Sequence, residues 1–145
     1  MPTITASDEA AASFMVRMAR KYPHQVTIYA AGPMTNLAVA LTLYPQFPEL
    51  TKELIVMGGV ISPVTSDPQF GPAPRREFNF WMDPEAARAV LHARWPRIVL
   101  TTVDISVKTR MDKDLIARVA KSPTPAAQYV VKYANGSYLW NELAA

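Results

Sequence analysis

The segment EFNFWMDPEAARAV, residues 77–90, places a carboxylate (Glu77), an amide (Asn79) and two large aromatics (Phe80, Trp81) directly ahead of a helix-opening Asp83-Pro84 pair. A carboxylate accepts hydrogen bonds and an amide both accepts and donates them, a combination suited to the hydroxyls of a polyhydroxylated ligand. In an extended segment residues 77 and 79 point to one side, so both side chains face a common ligand while Phe78 packs inward. A structural reading competes with this one: Glu77 pairs with Arg75 or Arg76, and Asn79 supports the helix entry. Residue type and spacing alone leave the two evenly matched.

The flanking sequence supplies the elements that must hold this pair. Ser7 is a candidate helix cap, and Ala11, Phe14, Met15 and Met18 follow at the spacing that puts apolar side chains on one helical face. Pro23 stops that helix, and residues 25–30, QVTIYA, read as a buried strand. Gly32-Pro33 turns the chain into a helix over residues 35–43, closed by Pro45 and Pro48. Residues 53–59, ELIVMGG, form an apolar strand running into two glycines, and a proline-rich loop over residues 60–76 follows. Asp83 caps a helix with Pro84 in its first turn, continuing to about residue 93. A third strand is expected over residues 97–103, helices over 112–121 and 125–134, and a last helix near Trp140.

Helices alternate with strands that are apolar on both faces, the pattern of a mostly parallel sheet with helices on both faces, an α/β fold. In such sheets ligands bind beyond the carboxyl ends of the strands. Three loops fall there: Ala31-Gly32-Pro33, Met57-Gly58-Gly59 with the long loop behind it, and residues 101–104. The EFN segment ends the second.

Composition narrows the function. The 145 residues suit a single domain spanning 1–145, half of them hydrophobic and 19% charged, which is globular rather than disordered usage. With no cysteine, disulfides, thiolate metal sites and cysteine nucleophiles are excluded, and His24 and His92 match no metal spacing. The net charge of +3 is spread along the chain rather than gathered in a stripe, which argues against nucleic acid as partner. No apolar run is long enough for a membrane span and the first residues lack a secretory pattern, so a soluble, cytoplasmic protein is expected. Dinucleotide and Walker phosphate-binding patterns are missing as well.

Taken in order and spacing, AAGPMTNLAVAL, ELIVMGG and EFNFWMDPEAARAV resemble the inosine-uridine nucleoside hydrolase family, the nucleoside N-ribohydrolases. The resemblance implies a Rossmann-like nucleoside hydrolase fold and hydrolysis of the N-glycosidic bond of a small-molecule ribonucleoside. It also implies a calcium ion on the ribose hydroxyls and the attacking water, and the possibility of homo-oligomers. Glu77 and Asn79 match the family's ribose-binding pair, and Met57 a position lining the ribose site. Ala31 falls where a backbone carbonyl meets calcium, Asn141 where an aspartate ligand is expected, and Trp140 where some members carry a histidine acting on the leaving base. For the Met57 side chain, core packing at a strand end is an equally good account.

Three departures stand out. The family's DxDxxxDD cluster, which carries the water-activating base and most calcium ligands, is absent; Asp112 and Asp114 read instead as charges at a helix start. Asn141 is neutral, and Gly71 replaces an asparagine common before EFN. The expectation is therefore an incomplete nucleoside hydrolase domain, middle to C-terminal part, inactive on its own and with calcium binding weakened or lost. The alternative is a non-catalytic nucleoside- or ribose-binding module.

Overall fold

The computed structural model describes residues 5–63, 65–66, 77–134, 136–141 and 144–145. Three strands, β1 (Thr27–Ala30), β2 (Glu53–Met57) and β3 (Ile98–Thr101), form one sheet in the order β1-β2-β3, with both pairs parallel. Each crossover carries helix: α2 (Thr35–Leu43) and a 3-10 turn (Pro48–Leu50) between β1 and β2, then α3 (Phe78–Trp81) and α4 (Pro84–Leu91) between β2 and β3. α1 (Ala11–Lys21) precedes the sheet, while α5 (Val103–Ser106), α6 (Lys113–Val119) and α7 (Pro125–Tyr133) follow it. Among the described residues no helix is long and apolar enough to cross a membrane.

The core lies where α1, α2 and α4 meet one face of the sheet. Ile28, Ala30, Leu54 and Val56 are buried there against Ala12, Ala19, Leu37, Ala40, Ala86, Ala87 and Val90. Small residues on three helices let the helix backbones approach the strands closely. Phe47 fills the end of this layer, with Trp95 edge-on to its ring at 5.6 Å and the indole Nε1 donating to the Val90 carbonyl at 2.7 Å. The described helices cover the two faces unequally, since Tyr29 on the opposite face is 41% exposed and Ile55 and Val99 are only half-buried.

The α/β class and the parallel sheet are as the sequence implies, and several element details differ. α1 begins at Ala11 rather than at a Ser7 cap; the Ser7 hydroxyl accepts from the Glu9 amide, ahead of the helix. Its buried stripe is Ala12, Met15, Val16 and Ala19, one residue round from the expected face, which leaves Phe14 exposed. Glu9 reaches forward instead to the Arg17 guanidinium, Oε2 to Nη2 at 2.7 Å. β2 stops at Met57, so the two glycines belong to the turn. α5 and the 3-10 turn are additional, and the described residues around Trp140 form a turn rather than a helix. Asp112 caps α6, accepting from the Leu115 amide at 2.8 Å, as its place at a helix start implies.

Candidate functional site

Ala30 pairs with Val56, and Met57 with Thr101, so Ala31, Met57 and Thr101 stand level at the carboxyl end of the sheet. Beyond Met57 the chain turns through Gly58 and Gly59. Gly59 has φ +80°, a left-handed conformation costly for residues with a Cβ. Gly58 is needed for a different reason: a Cβ there would lie 2.4 Å from Cε1 of the Phe80 ring. The aromatic ring is therefore seated directly on the glycine turn.

Glu77 is tied to the same turn. Its Oε2 accepts from the Gly59 amide at 2.9 Å and the Phe80 amide at 3.0 Å, and Oε1 accepts from the Asn79 amide at 2.8 Å. Two of these bonds cap α3, satisfying amides that have no partner within the helix, and the third crosses to the turn after β2. Asn79 is locked alongside, with Nδ2 donating to the Met57 carbonyl at 2.9 Å and lying 3.3 Å from its sulfur. Glu77, Asn79 and Met57 are all buried, at 7%, 8% and 3% exposure.

This arrangement corrects the extended reading of the EFN segment. Residues 78–81 are helical, so the period-two argument does not apply, and Phe78 is 62% exposed while Phe80 turns inward. The acid and the amide converge nonetheless, because a cap side chain and the second helical residue both face the incoming strand end. A pairing of Glu77 with Arg75 or Arg76, and the role of Gly71, fall outside the described residues.

The unused valences of the pair are acceptors. A carboxylate has about four lone-pair sites, and three amides occupy Glu77. With Nδ2 assigned to the Met57 carbonyl, Asn79 Oδ1 has no donor among the described residues. No buried side-chain oxygen among these residues lacks a partner, so Oδ1 must be reached by solvent. Two acceptors beside each other match a ligand presenting hydroxyl donors.

The other expected residues are less tightly joined to this group. Ala31 is exposed at the end of β1 and lines a cavity of about 210 Å³ with Tyr29, Gly32 and Asn36. Asn141 reaches β1 through its backbone, its carbonyl accepting from the Tyr29 hydroxyl, two residues before Ala31. Among the described residues no hydrogen bond links Ala31 or Asn141 to Glu77, Asn79 or Met57. Glu77 itself lines a cavity of about 460 Å³, whose walls include Gly59, Ile61, Phe80, Trp81 and Leu100. Trp81 is 55% exposed there, and Trp140 pairs with Tyr138 at 4.9 Å between ring centroids, so of these aromatics only Phe80 packs against the core.

Two further carboxylates near the strand ends escaped the sequence reading in part. Asp83 caps α4 through the Ala86 amide at 3.0 Å, as expected, and its Oδ2 also accepts from the Thr35 hydroxyl at the start of α2. The Thr35 bond, with the Ala86 amide, holds its pKa below the ordinary aspartate value. Asp104, in α5, accepts from the Ile61 amide at 2.9 Å and the Ser62 amide at 2.6 Å. Burial pushes the Asp104 carboxyl up, but those amides, its own amide and Thr102 outweigh it and the net shift is downward. Its only sequence signal was a position just after a strand end.

A parallel α/β sheet with polar side chains gathered at the carboxyl end of its strands defines the class: an α/β protein of the architecture in which ligands bind beyond the strand ends. The profile of the family described as inosine-uridine preferring nucleoside hydrolase matches residues 1–142, and the chain belongs to that family. An uncharacterised protein of Schizosaccharomyces pombe is 31% identical over 152 residues, covering 93% of this chain and 39% of the relative. A probable uridine nucleosidase of Oryza sativa subsp. japonica is 34% identical over 118 residues, covering 79% of this chain and 34% of the relative. The structure of a purine-preferring ribonucleoside hydrolase from Gardnerella vaginalis superposes with a TM-score of 0.81 at 22% identity, over 97% of this chain and 47% of that one. The chain thus spans between about a third and just under half of these proteins.

The calcium implied by the resemblance can be tested against the donors present. Calcium takes about six to eight oxygen ligands, several of them carboxylates. No group of three or more His, Asp or Glu side chains able to hold a metal occurs among the described residues. Ala31 offers a carbonyl and Asn141 a neutral amide, while Glu77 is committed to three backbone amides. The described donors do not make a calcium site.

Proposed function

We propose that this chain forms the ribose-facing part of a nucleoside hydrolase domain, and that alone it binds nucleosides through their sugar without cleaving them. The whole reaction adds water across the N-glycosidic bond and yields ribose and the free base. In this reading Glu77 and Asn79 accept hydrogen bonds from ribose hydroxyls, Met57 shapes the floor beneath them, and Ala31 and Asn141 flank the sugar from β1. The observation that carries it is the paired acceptor set at the end of β2, held rigid by the Gly59 amide and the Met57 carbonyl. The relatives' names support the sugar as the common element, since one refers to uridine and another to purine ribonucleosides.

The chain by itself is proposed to be inactive because, among the described residues, the acids near the strand ends are spent on backbone and hydroxyl donors. Calcium and the water-activating aspartate belong, in this proposal, to parts of the domain other than the residues described. The reading as a binding module is favoured by the same acceptors and differs only in whether hydrolysis occurs anywhere in the protein.

The experiment is incubation of the purified chain with uridine and with inosine, with and without calcium, following ribose release and binding by calorimetry. Expected are no ribose and measurable binding, weakened at least about tenfold by Asn79→Ala through loss of the amide acceptor. Ribose release by preparations free of any intact hydrolase would overturn the inactivity. Equal binding by the wild type and the variant would remove Asn79 from the site.

A further inference from the structure

Glu77 is aimed by the Gly59 amide, and the same residue is also held at its carbonyl. The Gly59 carbonyl accepts from the Val103 amide at 3.0 Å, and the Gly58 amide donates to the Thr101 carbonyl at 3.2 Å. One residue beyond Val103, the Asp104 carboxylate accepts from two amides of the loop, with Oδ2 to Ile61 at 2.9 Å and Oδ1 to Ser62 at 2.6 Å. The chain leaving β2 is therefore fastened to the chain leaving β3 at four points within five residues, 58–62. Two of these are backbone to backbone; the other two are made by the Asp104 side chain, which substitution can remove.

We propose that Asp104 is a positioning residue for the sugar-facing pair. Its carboxylate fixes the exit of the glycine turn, and through the Gly59 peptide it fixes where Glu77 points. Gly59 has φ +80°, and glycine explores more backbone conformations than any other residue, so the turn has no stiffness of its own. A bidentate carboxylate two residues downstream confines it. The same clasp sets part of the wall of the 460 Å³ cavity, because Ile61 lines it along with Phe80 and Trp81. The Asp104 side chain does not line that cavity, so its influence on a ligand runs through the turn.

This inference rests on the reading of Glu77 and Asn79 as ribose acceptors, and the test separates the two. Amide hydrogen exchange of Ile61, Ser62 and Gly59 is followed by NMR in the wild-type chain, in Asp104→Asn and in Asp104→Ala, alongside thermal melting and a uridine titration. Asp104→Asn keeps the shape but turns an NH₂ toward an amide donor. It is the decisive variant should Asp104→Ala fail to fold. Expected are at least about tenfold faster exchange at Ile61 and Ser62 and at least about threefold at Gly59 in Asp104→Asn, from loss of charge-assisted bonds. Exchange in β1 and β2 stays as in the wild type. A Gly59 amide that speeds by less than threefold overturns the proposal, because Asp104 then pins only the loop. Where uridine binds the wild type, its affinity falls in Asp104→Asn; an unchanged affinity also overturns it. Where the wild type does not bind uridine, the sugar reading fails, and the Gly59 exchange rate alone decides whether Asp104 positions Glu77.

Discussion

Substituting Glu77 probes the centre of the arrangement, because one buried carboxylate holds three amides from two different elements. Glu77→Gln is close to isosteric. Oriented with its oxygen at the Oε2 place, the amide keeps the Gly59 and Phe80 bonds, though as neutral ones, and sets its NH₂ against the Asn79 N–H. The reverse orientation leaves two donors facing a donor, which is worse. Hydrogen bonds to a charged group contribute about 1.5–3 kcal/mol each and neutral ones about 0.5–1.5, and a buried donor left unpaired costs about 1–3. The three bonds share one acceptor and cannot be summed. A loss of about 2–3 kcal/mol for Glu77→Gln and about 3–5 for Glu77→Ala follows, the larger figure including removal of the α3 cap. With a urea m-value of about 1–3 kcal/mol per molar, the Gln variant's midpoint should fall by about 1–2 M in urea denaturation followed by tryptophan fluorescence. A fall below about 0.3 M, or equal falls for Gln and Ala, would refute the argument that charge-assisted bonds to the glycine turn hold this segment.

Two further substitutions read the neighbouring contacts. Gly58→Ala drives a methyl into the Phe80 ring, which must move and take α3 with it; a destabilisation of about 1–3 kcal/mol in urea unfolding is expected, and a neutral result would mean the ring is not seated on the turn. Thr35→Val removes the hydroxyl that lowers the Asp83 pKa. A depressed carboxylate stabilises the fold above its unfolded pKa, near 3.9, and that contribution is lost as pH falls through the lower folded value. Thr35→Val should therefore lose stability at neutral pH and show less further loss between about pH 5 and pH 2 than the wild type, measured by thermal melts across that range. Parallel pH profiles for the two proteins would show that the Thr35 bond does not form in solution.

What was legible in the sequence follows the range over which each signal acts. The helix of residues 35–43 was readable from the Gly32-Pro33 turn before it and the prolines after it, and the start of α4 from its Asp83 cap and Pro84, because all of these are local signals. The parallel sheet was readable because alternation of helix with apolar strand leaves few other architectures. The face of α1 was misjudged by one position: Phe14 and Met18 satisfy the period as well as Met15 and Val16, and only the neighbouring helices decide which set is buried. The helical state of residues 78–81 was hidden for a similar reason. A four-residue helix has almost no intrinsic stability, and this one is held by a carboxylate whose other bond goes to Gly59, 18 residues away. The convergence of Glu77 and Asn79 was anticipated from a geometry they do not adopt.

The long-range polar links were the least legible, and they carry the functional argument. Thr35 to Asp83 spans 48 residues and Ile61 to Asp104 spans 43, distances over which sequence patterning says nothing about pairing. Together with Glu77 they show one recurring use of acidic side chains at this end of the sheet: each carboxylate accepts from backbone amides or a hydroxyl and so stitches one loop to another. Asp83 and Asp104 make poor general bases in this setting. Their hydrogen-bond donors hold each pKa below the ordinary aspartate value, whereas abstraction of a proton from water favours a group tuned upward toward neutral pH. Those two acids are thus unsuited to activating water there. Holding a loop through backbone amides and taking a proton from water are opposite demands on a carboxylate, and among the described residues Asp83 and Asp104 meet only the first.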